Sequence, residues 1–116
     1  MPARHQHHEQ RLRRQVHQQR RGQPQRTLEF VERMAGEVDG IVEAALATGW
    51  FDDTRVAIGG MSAGGMVSMV RLCRAHAFMG ALLESTTGDW SSRVAGANWP
   101  MDLARALNPI DHLAAW

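Results

Sequence analysis

Between Ile58 and Gly65 the chain reads Ile-Gly-Gly-Met-Ser-Ala-Gly-Gly, and no other stretch limits its fold so tightly. Two glycine pairs enclose one serine. Upstream, Arg55-Val56-Ala57-Ile58-Gly59 has the length and branching of a short buried strand. Downstream, Gly65 to His76 carries Met66, Met69, Val70 and Cys73 at the spacings of a helix's inner side. Ala77 to Leu83 is a second apolar run of strand length. Strand, helix and strand at this spacing predict a βαβ unit with parallel strands, which requires helices over the sheet.

The turn has the form G-x-S-x-G, Gly60-Met61-Ser62-Ala63-Gly64, at a strand-to-helix junction. A sharp turn there projects the Ser62 hydroxyl from the sheet end in a strained backbone conformation. Gly60 and Gly64 are the elbow glycines, expected to let the two chain arms pass closely. The first turn of the helix directs free N–H groups at the serine, so the Ala63 amide is the expected oxyanion-hole donor. In the competing reading, Ser62 only caps the helix. A dinucleotide fingerprint fails because no register provides glycines at i, i+2 and i+5. A Walker A loop or a Schiff base fails because all 13 basic residues are Arg.

The charge is divided along the chain. Residues 1–26 hold seven Arg, four His and seven Gln against one Glu, a charge of +6, with only Met1, Ala3, Leu12 and Val16 apolar. Such a segment buries too little to offset the entropy of ordering, so 1–26 is expected to be a disordered tail. Its functional alternative is a basic arm for nucleic acid or an acidic partner, with His5, His7 and His8 as a loose metal-holding set. Residues 27–116 carry −5 and form the folding unit. There Leu28, Val31, Met34, Ala35, Val38, Ile41, Val42, Ala45 and Leu46 predict an amphipathic helix. Thr27 is its expected N-cap, Glu29 and Glu32 favour its positive end, and Gly49 is its stop. Gly36 and Gly40 are read as marks of close packing.

From Glu84 to Pro100 the composition predicts a loop, then a short helix over Met101–Leu107 stopped by Asn108-Pro109, with Ile110–Trp116 beginning another. The longest uncharged run, Val56–Val70, has 15 residues, too few for a membrane span. The basic N-terminus has no apolar h-region behind it and Cys73 is the lone cysteine, so a cytoplasmic setting is expected. Cys73 is read as a small hydrophobe, Met61, Met66, Met69 and Met79 as gap-filling core, and His76 as a partner of a helix C-terminus. Trp90 and Trp99 are candidates to line an acyl pocket at the C-terminal sheet edge.

The segment Asp52 to Gly65, the strand Phe78 to Leu83 and Asn108-Pro109-Ile110-Asp111-His112-Leu113 together resemble the α/β-hydrolase superfamily, more narrowly the dienelactone-hydrolase and prolyl-oligopeptidase-like esterases. The resemblance covers roughly Thr27 to Trp116. It implies an α/β, three-layer fold of which this chain is a fragment, with the βαβ unit around a nucleophile elbow. It further implies a serine hydrolase of carboxylesterase type with Ser62 as nucleophile, the Ala63 amide as oxyanion donor, an ester or other acyl substrate, and no cofactor or metal. The superfamily's acid and histidine follow later strands that this sequence lacks, so the isolated chain is expected to turn over little. Asp111 and His112 do not replace them, because neighbours on a helix face different ways. Exposed sheet edges favour self-association. The alternative to the hydrolase is a non-catalytic relic whose basic tail binds nucleic acid or an acidic partner.

Overall fold

A computed structural model describes residues 2–92 and 99–116. Helix α1 (Pro2–Leu46) leads into strand β1 (Ile58–Met61), helix α2 (Ala63–Leu72), strand β2 (Ala81–Glu84) and helix α3 (Met101–Leu107), with a 3-10 segment over Pro109–Ala115. Both strands start later than the apolar runs suggest, and α2 begins and ends earlier. The strands pair in parallel, Ile58 opposite Ala81 and Met61 opposite Glu84, as the βαβ reading requires. The loop expected over 84–100 is described as far as Ser92 and again from Trp99.

Where the sequence reading expects disorder, α1 runs helical from Pro2. The arm is rich in Arg and Gln, which are good helix formers, and α1 runs on through Gly22 and Pro24 without a packing surface. Every described side chain from Gln6 to Gln18 is exposed. Thr27 is consequently not an N-cap: it lies mid-helix and its hydroxyl donates to the Gln23 carbonyl at 2.9 Å. The end of α1 follows expectation, with Gly49 at φ +75° and its N–H donating to the Leu46 carbonyl at 3.1 Å.

Leu28, Val31 and Ala35 form the buried stripe of α1 and meet Val70 of α2, Ala104 of α3 and Trp90 in one core. The expected stripe is thus only partly used, since Ile41 is exposed. Gly36 and Gly40 mark no close approach: a Cβ built at either meets nothing within 4 Å. Met66 and Met69 join the interior as expected, but Met61 and Met79 remain 64% and 66% exposed. Leu82 is 82% exposed. These side chains stay in solvent because a two-stranded sheet has too little backing to bury both its faces.

Two polar clamps secure the layers. Arg71, nearly buried on α2, donates from Nε to Asp39 Oδ1 at 2.7 Å and from Nη2 to the Ala75 carbonyl at 3.2 Å, so it ties α1 to the chain leaving α2. Asn108, also buried, accepts the Trp90 N–H at 3.0 Å and anchors the loop after β2 to the end of α3. No helix among the described residues is long and apolar enough to cross a membrane.

Candidate active site

Ser62 stands between the last residue of β1 and the first of α2, with φ 53° and ψ −117°. That conformation is costly for a residue with a Cβ and persists only where neighbours over-determine it. Here they do. The Ser62 N–H donates to the Glu84 carbonyl at 2.9 Å, holding it to β2, and its own carbonyl accepts the Met66 N–H at 3.1 Å, the first bond of α2. The side chain makes no capping hydrogen bond. The helix-cap reading therefore fails, and the hydroxyl is exposed at the C-terminal edge of the parallel strands, where ligands bind in open α/β sheets.

The glycines differ in what they do. A Cβ on Gly60 would overlap the Gly64 carbonyl group and approach Gly65 N at 2.7 Å, so Gly60 is the crossing point of the two arms. A Cβ on Gly65 would lie 2.7 Å from Thr86 Cγ2. Gly64, by contrast, has open space where its Cβ would be. Of the expected elbow pair, Gly60 is the one that cannot carry a side chain, with the Gly64 backbone as its obstacle, while Gly65 gives room to the loop after β2.

Ahead of the Met66 bond, the N–H groups of Ala63, Gly64 and Gly65 belong to the helix turn that has no carbonyl of its own to meet. They cluster at the Ser62 end of α2, the positive end of its dipole. Ser85, which follows β2, has φ 51°; with Ser62 it is one of two non-glycine residues at positive φ among those described. Both lie at the same sheet edge, because Met61 and Glu84 are register partners. The sequence reading missed Ser85, since nothing in a Glu-Ser-Thr-Thr run indicates a left-handed residue.

The histidines are elsewhere. α2 is about 15 Å long, which puts the chain leaving it at the opposite sheet edge from Ser62. His76 lies in that chain, so it is neither a base for Ser62 nor on the last turn of α2, which ends at Leu72. Its Nδ1 accepts the Phe78 N–H at 3.2 Å and its Nε2 is buried without a partner. His112 has Nε2 2.9 Å from the Ala106 carbonyl. Trp90 is also not a pocket residue: it is 1% exposed, packs edge-on against Trp99, and donates from Nε1 to the Thr87 carbonyl at 2.8 Å. Trp99 packs against the same core. Cys73 is half-buried with its Sγ 3.2 Å from the Met69 carbonyl, and burial pushes its thiol pKa up, the opposite of activation. No group of three His, Cys, Asp or Glu side chains among the described residues is arranged to hold a metal.

A parallel strand pair, a helix between them and a serine at positive φ on the joining turn belong to the α/β-hydrolase class. The chain is a member of the prolyl oligopeptidase family, whose profile matches residues 18–110, and serine-hydrolase chemistry is the family's. The match starts at Gln18, within the segment read from sequence as a tail. Neither the curated proteins nor the solved structures include a match to this chain.

Proposed function

We propose that Ser62 is the nucleophile of a serine hydrolase that transfers an acyl group from a carboxylic ester, or a related acyl compound, to water. The observation that carries this reading is the Ser62 backbone at φ 53° and ψ −117°, with the hydroxyl exposed and unused for capping. In this role Ser62 Oγ attacks the acyl carbonyl carbon, the alcohol or amine leaves, and water then releases the acid from the acyl-serine. The Ala63 N–H supports the oxyanion at each tetrahedral stage, aided by the N-terminal end of α2. The proton from Oγ requires a histidine base held by an acid. Neither His76 nor His112 has that placement, so both groups come from outside the described surroundings of Ser62. This chain alone is then expected to be acylated slowly, if at all, and to turn over little.

Ser62→Ala tests the assignment in the protein that carries the base: ester hydrolysis should fall by about 10⁴-fold or more, as when a triad nucleophile is removed. A fluorophosphonate probe should label that protein at Ser62, located by peptide mass spectrometry. Retained hydrolysis, or labelling elsewhere, would reject Ser62 as nucleophile and favour a relic elbow.

A further inference from the structure

Helix α1 carries opposite surfaces at its two ends. Its N-terminal half exposes Arg11, Arg13, Arg14 and His17, and among them Leu12 and Val16, one turn apart and each 47% exposed. Beside its C-terminal half lies a cleft of about 360 Å³ with Val42, Leu46 and Phe78 as apolar walls and Asp39, Glu43 and Asp53 as its carboxylates. Asp39 is paired with Arg71, which is the one ion pair among the described residues. Glu43 and Asp53 have no cationic partner among those residues. An apolar cleft with surplus negative charge therefore faces solvent on a molecule that also presents a basic helix with an apolar pair.

The arm cannot fill the cleft of its own chain. Helix α1 passes through Pro24 and carries Leu12 about 40 Å from Asp39. We propose that the arm of one copy docks in the cleft of a second copy, Leu12 and Val16 covering the apolar walls while Arg13, on the flank of that face, meets Glu43 and Asp53. This is helix-in-groove recognition with charge setting the partner. The charge division supports a copy of the same chain as occupant, +6 on residues 1–26 against −5 on the remainder. A nucleic acid would satisfy the arginines alone and leave both the apolar pair and the cleft uncovered.

Sedimentation velocity on the full 116-residue chain provides the test. Association should be evident in the micromolar range at about 50 mM salt and weaken at least tenfold at about 500 mM, where the screening length is shorter than the contacts' reach. Arg13→Glu should weaken it at least tenfold, and so should Glu43→Arg with Asp53→Arg. Mixing the two reversed chains should restore association between them, which also shows that each is folded. A chain that stays monomeric at low salt overturns the proposal, as does association untouched by either charge reversal, which would implicate the bare sheet face. Salt-dependent binding of a short mixed-sequence RNA by a monomeric chain, lost on reversing Arg13 and Arg14, overturns it in favour of nucleic acid.

Discussion

At Gly60 a single hydrogen in place of a methyl group decides whether the strand and helix can cross. Gly60→Ala drives a Cβ into the Gly64 carbonyl, which is backbone and cannot rotate away. We expect a loss of about 1–3 kcal/mol in urea unfolding, the usual cost of forced overpacking. Gly64→Ala, with open space at its Cβ, should cost much less. Asn108 presents a different single-atom dependence: Asn108→Ala removes the acceptor of the buried Trp90 N–H and should cost about 1–3 kcal/mol by the same measurement. Cys73 gives the pH-dependent case. Burial raises the folded thiol's pKa, so its contribution to stability is present below the ordinary thiol range and is lost as pH rises through it. Labelling of native protein by a disulfide reagent should accordingly need more alkaline pH than labelling of the urea-unfolded chain. Equal pH profiles would mean that the thiol is not shielded.

At the scale of elements, α1 is two helices in energetic terms. From Leu28 onward it is held by the core, whereas Gln6 to Gln18 rest on propensity alone. Hydrogen exchange on the monomer, at about 500 mM salt, should show this directly, with amides in the arm exchanging far faster than those of Val31 to Val38; uniform protection there would mean that the arm is covered within its own chain. Gly36 and Gly40 offer the complementary test. Their helical positions have no steric need for glycine, so Gly36→Ala and Gly40→Ala should each stabilise the chain by up to about 1 kcal/mol. The helix pattern, its stop at Gly49 and the parallel strand pair were legible in the sequence because periodicity and glycine punctuation are local signals. The start of α1 was not, because composition reports what a segment can bury and says little about helix propensity in a segment that buries nothing.

For the whole molecule, the core lies among α1, α2, α3 and Trp90 and takes in no strand residue. Leu82, Met61 and Met79 lie outside it and remain in water, because the strand pair has no further strand beside it among the described residues. A polarity-sensitive dye should bind there, and Leu82→Ser should reduce that binding with little change in stability, since the side chain is already solvated. The amino-acid sequence by itself determined the order of elements, the parallel crossover, the serine at the elbow and the opposed charges of arm and body. These follow from spacing, from side-chain type and from the absence of lysine. Only the tertiary structure decided that Gly65 rather than Gly64 is the tight glycine, that Trp90 is core and not pocket, and that Arg71 and Asn108 join distant segments. Each depends on which atoms meet across 18 residues or more of chain, or across a turn whose shape is set by positive φ, and neither kind of contact leaves a periodic trace in a linear sequence.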